Sequence, residues 1–191
     1  MLIFKEDGNF DNKPTPFHYA LLEPNGTSLA PQSRNGQWKA TALLEATLPW
    51  EGPLIEAPWV ILRNATYFLF YSGNGFGNDY AVGVARSSAL LGPYEKRGAP
   101  ILAQANTSVG APPFEAPGHC SVVPVGGAGS SELAIVYHAW LGNDRSARHM
   151  MLDALQWDAA SGWPYVAGGV PGAGGFLPSP AGPPGGGGRR R

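Results

Sequence analysis

Two stretches decide the fold because they repeat each other: residues 56–72 read EAPWVILRNATYFLFYS, and residues 115–138 read EAPGHCSVVPVGGAGSSELAIVYH. Each begins with Glu-Ala-Pro, continues as a short apolar run, turns, and enters a second run rich in aromatic and β-branched residues. Such runs between turn residues are typical of β-strands. A third strand, at residues 80–86 in one unit and 149–155 in the other, is followed by a weaker outer strand.

Four strands in a repeated unit are the pattern of a β-propeller blade. Tyr71 and Tyr137 occupy the same position in their units and lie 66 residues apart, which is the spacing of a long blade. The N-terminus fits this template in part, because residues 2–5 match the second strand of the unit and residues 17–22 match the third. We therefore predict an all-β fold, an incomplete propeller of about three blades whose first blade begins at its second strand.

The end of the chain has a different composition. Residues 167–184 are almost wholly Gly, Pro, Ala and Val, and residues 185–191 read GGGGRRR. Such a segment buries too little apolar surface to offset the loss of chain entropy on folding. We predict one partial propeller domain at residues 1–166 and a disordered Gly/Pro-rich tail at residues 167–191.

Composition and charge narrow the class of partner. The chain has 191 residues, of which 43% are hydrophobic and 14% charged, and its net charge is −1. The apolar fraction suffices for one hydrophobic core. A net charge near zero produces no long-range electrostatic field that would attract phosphate groups, so we expect no nucleic-acid partner. Because Arg63 and Asn64 interrupt the longest apolar stretch, we expect no membrane span, and no signal peptide follows Met1. We interpret the single cysteine, Cys120, as a packed residue and not as a nucleophile.

Glu56 and Glu115 lead the first strands of their units, which in a propeller line the central channel. A partly buried carboxylic acid at that place would suit protonation of a leaving oxygen in a glycosidase. A glutamate that only caps a turn would occupy the same position. The repeat alone leaves both interpretations open.

A longer stretch, IEAPWVILRNATYFLFYSGNGFGNDYAVGVARSSALLGPYEKRGAPIL, resembles family 43 of the glycoside hydrolases, which are five-bladed propellers that attack arabinose- and xylose-containing glycans. The opening LIFKEDGNFDNKPTPFHYALLEPNG and the later APGHCSVV, IVYHAW and RHMMLDALQWDAASGWP extend the resemblance to about residues 2–166. The resemblance implies an inverting glycosidase with a polysaccharide or oligosaccharide substrate, an extracellular location and no required cofactor.

The resemblance also implies residue roles. Glu56 matches the general acid of the family, and His119 matches a histidine at the channel axis, which in some members binds calcium or another metal ion, or its water. The family uses two further carboxylates, a base and one that tunes the acid, and both positions would precede Met1. We therefore expect the chain alone to be weakly active or inactive. Asp7 and Asp11 match no catalytic position and are interpreted as loop residues.

Four further residues are candidates for contacts with a sugar, and each has a structural alternative. Trp59 would stack on a sugar face or pack in the core. Asn74 and Phe76 would line the pocket or serve only the loop that carries them. Arg148 would contact a sugar hydroxyl or end a solvated strand, whereas His138 is interpreted as a structural histidine.

Two other functions remain open from the sequence. One is a non-catalytic glycan-binding pseudoenzyme, which would keep the aromatic residues and His119 without hydrolysis. The other is an incomplete gene product with no function of its own.

Overall fold

The computed structural model describes residues 1–8, 13–31, 39–77, 79–104, 114–126, 130–142 and 144–172. These residues form eleven strands in three antiparallel sheets, together with two short 3₁₀ turns at Pro49–Glu51 and Ala167–Gly169. No helix within the described ranges has the length and apolar character needed to cross a membrane. Asp11 and residues 173–191 of the predicted tail lie outside the described residues.

The first sheet has three strands in the order β1-β2-β3. They are β1 (Leu2–Lys5), β2 (Phe17–Ala20) and β3 (Thr41–Leu44). Strand β1 pairs with β2 from Leu2 opposite Ala20 to Lys5 opposite Phe17. The predicted strand at residues 2–5 is therefore present with those bounds, and β1 lies at the edge of its sheet, as expected for a unit that begins at its second strand.

The second and third sheets have four strands each, and each follows chain order from one edge to the other. The second sheet consists of β4 (Ile55–Arg63), β5 (Thr66–Gly73), β6 (Ala81–Ser87) and β7 (Glu95–Lys96). The third consists of β8 (Phe114–Pro124), β9 (Leu133–Leu141), β10 (Asp144–Trp157) and β11 (Pro164–Val166). This arrangement confirms the predicted partial β-propeller with three blade-like sheets.

The sheets pack face to face, with the second sheet in the middle. Phe68 and Phe70 of β5 belong to a core shared with the third sheet, whereas Leu69 and Tyr71 of the same strand belong to a core shared with the first. Because successive side chains of a strand point to opposite faces, a strand buried on both faces reads as a continuous apolar run. This explains the sequence YFLFY at residues 67–71.

The Glu-Ala-Pro corners lie inside strands. The pairing of β4 with β5 shifts register between Glu56 and Trp59, and the pairing of β8 with β9 shifts between Glu115 and Gly118. Ala57 and Ala116 have φ values of 55° and 49°, which are uncommon for residues with a Cβ. The sequence pattern of a corner followed by a strand is thus a β-bulge within a longer edge strand, a position that tolerates proline.

Contacts with the sheets continue beyond residue 166, where the domain boundary is predicted. Gly169 accepts a hydrogen bond from the backbone N–H of Ala103 at 2.9 Å, and the N–H of Gly172 donates to the Asp153 carboxylate at 3.0 Å. Pro171 is buried. The buried Asp153 carboxylate needs hydrogen-bond donors, and Gly172 supplies one. Residues 167–172 therefore pack against the third sheet, although their composition is that of the tail.

Candidate active site

Glu56 lies at the bulge of β4, and its carboxylate is held by two donors from different parts of the fold. The phenol of Tyr80 donates to Oε1 at 2.6 Å, and Nζ of Lys5 in β1 donates to Oε2 at 2.9 Å. The Glu56 side chain is 14% exposed. The first sheet and the start of β6 therefore meet at this carboxylate, and the bulge at Ala57 directs it toward them.

Tyr80 is a buried residue that the sequence analysis did not single out. Burial, together with the hydrogen bond to Glu56 and its negative charge, raises the pKa of Tyr80 far above its usual value. The phenol therefore stays protonated and remains a donor. Tyr80 immediately precedes the third strand of its unit, and Arg148 lies near the start of the corresponding strand in the next. The repeat could therefore have identified Tyr80.

Arg148 lies next to the Glu56–Tyr80 pair, but its guanidinium is hydrogen-bonded to other groups of the protein. It donates to Nδ1 and to the carbonyl oxygen of His138, to the carbonyl oxygen of Ala116 and to that of Phe76. Its guanidinium carbon also lies 5.4 Å from the centre of the Tyr80 ring. Burial lowers its pKa. Arg148 thus connects the third sheet to the loop that follows β5.

The two imidazoles of the site stack on each other. The rings of His119 and His138 lie 5.7 Å apart at an interplanar angle of 24°. Burial, with the neighbouring Arg148 and His119, lowers the pKa of His138 to about 4. Because Arg148 donates to Nδ1 of His138, the neutral ring carries its proton on Nε2. His138 is a neutral, hydrogen-bonded histidine, in line with the structural role predicted for it.

His119 itself is exposed and has a φ of 56°. Its backbone N–H donates to the hydroxyl of Ser72 at 2.8 Å. Its ring neighbour is the imidazole of His138, which accepts a hydrogen bond from Arg148. No cluster of three metal-ligand side chains occurs in the described part of the chain. This environment does not fit a metal held by protein side chains alone, and a metal ion near His119 stays a prediction of the resemblance.

The two loop candidates differ in what their side chains do. The carboxamide of Asn74 donates to the carbonyl oxygen of Trp50 at 2.7 Å, so it ties the loop to the 3₁₀ turn. The ring of Phe76 is 62% exposed, while its carbonyl accepts from the indole of Trp140 at 2.7 Å and from Arg148 at 3.1 Å. Phe76 is therefore an exposed aromatic residue on an anchored backbone.

Trp59 lies three residues beyond Glu56 on β4, opposite Phe70, and is 41% exposed. Among the described residues, no hydrogen bond or ring contact joins Trp59 to Glu56 or Tyr80. The structure thus brings together Glu56, His119, Arg148 and the backbone of Phe76, and adds three residues to them. These additions are Lys5, Tyr80 and His138.

Asp7, interpreted from sequence as a loop residue, lies close to the same cluster. Its Oδ1 is 3.6 Å from Nζ of Lys5, which also bonds Glu56. Glu115, at the equivalent bulge of β8, pairs with Arg145 at 2.6 Å. The two repeated glutamates therefore have different partners: an ammonium and a phenol for Glu56, a guanidinium for Glu115.

Three blade-like sheets with a partly buried carboxylate near the start of a blade's first strand define the β-propeller class that the sequence predicts. The family model of the glycosyl hydrolases family 43 matches residues 8–164, and the chain belongs to this family. Its fold is similar to that of a thermostable family-43 glycoside hydrolase, with a TM-score of 0.68 and 25% identity over 87% of this chain and 50% of that one. It is likewise similar to an α-L-arabinofuranosidase from Lactobacillus brevis, with a TM-score of 0.67 and 22% identity over 92% and 53%.

Two curated proteins are similar in sequence. The extracellular endo-α-(1→5)-L-arabinanase 1 of Bacillus subtilis is 29% identical over 126 residues, which are 62% of this chain and 36% of that protein. The β-D-galactofuranosidase xynD of Aspergillus niger is 33% identical over 96 residues, 50% of this chain and 26% of that protein. The matches cover about half the length of these two solved structures and between about a quarter and a third of the two curated relatives.

Proposed function

We propose that this chain is part of a glycoside hydrolase that cleaves O-glycosidic bonds in arabinose- or xylose-containing polysaccharides. The observation that carries the proposal is the Glu56 carboxylate, 14% exposed at a β-bulge with donors to both oxygens. The names of the relatives, an arabinanase and an α-L-arabinofuranosidase, support pentose-containing substrates. Secretion, which the name of the Bacillus relative suggests, is part of the same proposal.

Glu56 is proposed as the proton donor to the glycosidic oxygen. Tyr80 occupies Oε1 and remains protonated, so the oxygen that faces the substrate in this mechanism is Oε2. Oε2 is bonded to Lys5, and the glycosidic oxygen would have to take the place of the ammonium there. Glu56 must carry a proton on Oε2 when the leaving oxygen arrives.

An inverting mechanism also needs a second carboxylate that activates water from the opposite side of the sugar. In inverting glycosidases the two carboxyl groups lie roughly 6.5–9.5 Å apart, which leaves room for that water. We propose that this base lies outside the 191 residues. The chain alone should then hydrolyse its substrates at least about 10²-fold more slowly than an enzyme with both groups.

The test uses the purified chain with 4-nitrophenyl α-L-arabinofuranoside and β-D-xyloside at high protein concentration. Glu56→Gln is expected to abolish any residual release, whereas Glu115→Gln, at the equivalent bulge, is expected to retain it. Proton NMR of the first product formed would identify inversion by its anomer. Residual release that Glu56→Gln leaves unchanged would refute Glu56 as the proton donor.

A second candidate function is glycan binding without hydrolysis. The Lys5–Glu56 ion pair favours it, because the ammonium occupies Oε2, the position that a leaving oxygen would need. The exposed rings of Phe76 and Trp59 suit stacking on sugar faces. Calorimetry with arabino- and xylo-oligosaccharides distinguishes the two, since binding without any product would favour the pseudoenzyme.

A further inference from the structure

The ring of Tyr80 lies directly against the backbone of Gly118 in β8. A Cβ added to Gly118 would lie 2.0 Å from Cε1 and 2.2 Å from Cδ1 of Tyr80, and real Cβ atoms do not come so close to a ring carbon. Gly118 does not have a left-handed backbone conformation, so the lack of a side chain serves this contact and not the turn of the chain. The third sheet therefore has a flat site that fits the Tyr80 ring.

Further contacts fix Tyr80 from the same side. The guanidinium carbon of Arg148 lies 5.4 Å from the ring centre, and the imidazole of His138 lies at 6.5 Å. Tyr80 is 1% exposed, so its phenol has little freedom to turn away. Its hydroxyl donates to Oε1 of Glu56 at 2.6 Å. The contacts thus run from β8 and β10 through Tyr80 to the carboxylate on β4.

The two donors to Glu56 differ in how firmly they are held. Lys5 has a flexible side chain, 24% exposed, and shares its ammonium between Glu56 at 2.9 Å and Asp7 at 3.6 Å. Tyr80 is packed on its faces and bonds Glu56 through a single hydroxyl. If a substrate displaces Lys5 from Oε2, the Tyr80 bond is the one that still sets the orientation of the carboxylate.

We propose that Tyr80 is a positioning residue for Glu56, and that Gly118 of the third sheet sets the place of Tyr80. The catalytic consequence of this arrangement rests on the proposed role of Glu56 as proton donor. The positioning itself does not, because it concerns the state of the Glu56 carboxylate in the protein without substrate. The two can be tested separately.

The test is a pH titration of the Glu56 carboxyl carbon by NMR, in the full chain labelled with ¹³C at the glutamate side chains. Glu56→Gln assigns the resonance. A hydrogen bond donated to a carboxylate favours its ionised form, so Tyr80→Phe is expected to raise the midpoint of this resonance. Gly118→Ala, which moves the ring but keeps the hydroxyl, is expected to shift the midpoint in the same direction.

Two matched variants serve as controls. Tyr94→Phe removes a hydroxyl that donates to the carbonyl of Leu90 and not to Glu56. Gly77→Ala adds a methyl group where no atom lies within 4 Å. Both are expected to leave the Glu56 midpoint where it is in the wild type.

An unchanged midpoint in Tyr80→Phe would overturn the proposal. If Gly118→Ala folds and behaves like Gly77→Ala, the part assigned to Gly118 is wrong, and if it does not fold, Tyr80→Phe decides alone. Where the chain hydrolyses a nitrophenyl glycoside, Tyr80→Phe should lower kcat more than 10-fold and shift its pH profile with the NMR midpoint. Failure of the proposed function would instead appear as turnover that survives Glu56→Gln, with the NMR shifts unaffected.

Discussion

Glu51 is fully buried at the 3₁₀ turn before β4, and its carboxylate is surrounded by donors. Tyr71 donates at 2.6 Å, Nζ of Lys96 lies 2.7 Å from Oε1, and the N–H groups of Thr47 and Leu48 donate to Oε2. Burial alone would raise the pKa of Glu51, but Lys96, Tyr71 and these N–H groups together lower it. Glu51 is therefore an ionised, satisfied group inside the fold.

The tyrosine at the equivalent position of the next unit also donates a hydrogen bond to a buried carboxylate. Tyr137, which matches Tyr71 in the repeat, donates to the buried carboxylate of Asp153 at 2.5 Å. The two carboxylates come from different places, the turn before β4 and strand β10. The repeated tyrosine thus anchors a buried acid in each sheet, and neither acid is part of the Glu56 site.

Lys96→Met should destabilise the protein strongly. The change keeps the apolar stem but leaves the Glu51 carboxylate, which is 0% exposed, without its cation. Breaking a buried ion pair by removing one partner costs about 3–5 kcal/mol. Urea unfolding of the variant and the wild type measures the difference in unfolding free energy.

The neighbouring residue on β7 provides the control for this change. Glu95 pairs with Arg86 at 2.9 Å, but its side chain is 64% exposed. Glu95→Gln is expected to cost less than about 1 kcal/mol. Adding Glu51→Gln to Lys96→Met should recover part of the loss, because no buried charge remains. Equal effects of Lys96→Met and Glu95→Gln would contradict a structural role for the buried pair.

At the scale of elements, the Asn64-Ala65 turn between β4 and β5 has φ values of 49° and 58°. Two successive positive φ values are what a two-residue hairpin turn requires, and glycine adopts them without the cost imposed by a Cβ. Ala65→Gly is therefore expected to stabilise the protein by about 0.5–1 kcal/mol. The midpoint of urea unfolding measures this gain.

An alanine in an ordinary turn conformation gives the comparison. Ala159 is exposed in the turn between β10 and β11 and is absent from the described residues with positive φ. Ala159→Gly is expected to lower the stability by about 0.4–1 kcal/mol, since glycine gains entropy in the unfolded chain. A loss of stability in Ala65→Gly as well would show that the turn does not favour glycine.

The strands could be predicted because their apolar runs are bounded by turn residues, as in YFLFY after Asn64-Ala65. The bulges could not, because Ala57 and Ala116 adopt positive φ that only the register of the neighbouring strands reveals. Strand β3 was not identified as such, since TALL at residues 41–44 has no alternating pattern of its own. Tertiary pairing decides these elements, and local sequence does not.

The residues of the candidate site likewise divide into those that the sequence can predict and those that only the fold brings together. Glu56 and His119 could be found from their position in the repeat and the resemblance. Lys5 was missed because it lies 51 residues from Glu56 in the chain and meets it only when the first and second sheets stack. Tyr80, 24 residues from Glu56, belongs to the same unit and was missed although its place in the repeat could have identified it. Arg148 was found, but its bonds to protein carbonyls depend on the loop at Phe76, which the sequence does not place.

At the scale of the whole molecule, stacking of the sheets leaves the third sheet with two unlike faces. Asp153 and Leu155 of β10 are buried, whereas Met150 and Leu152, on the opposite face of the strand, are 83% and 47% exposed. Strands β5 and β6 of the second sheet, in contrast, are buried on both faces. The apolar groups that pack the third sheet against the second therefore lie on the Asp153 face, whereas His138, paired with Met150, reaches the second sheet through its ring contact with Tyr80.

The stability of the stacked sheets should fall as the pH drops below neutrality. The pKa of His138 is lowered from 6.5 to about 4, by burial first and then by Arg148 and His119, while Glu56 acts in the opposite sense. Below pH 6.5 the unfolded chain binds a proton at this histidine that the folded protein does not bind. The contribution of the neutral ring is therefore full above pH 6.5 and is lost progressively down to about pH 4.

Protonation of Glu51 lowers the stability of the folded protein further at lower pH. Its pKa is below 4.5 in the folded protein, so the unfolded chain takes up a proton first, and the stability from the ionised carboxylate is lost as the pH falls through the lowered value. Urea unfolding at pH 7, 5.5, 4 and 3 should separate the pH range of the His138 effect from that of the Glu51 effect.

His138→Gln is expected to flatten the decline in stability between pH 6.5 and 4 and to leave the decline in stability below pH 4 in place. The slope is the informative quantity, because the substitution also removes an acceptor of Arg148 and so lowers the stability at every pH. An identical slope between pH 6.5 and 4 in the two proteins would mean that His138 takes up its proton as readily in the folded protein as in the unfolded chain.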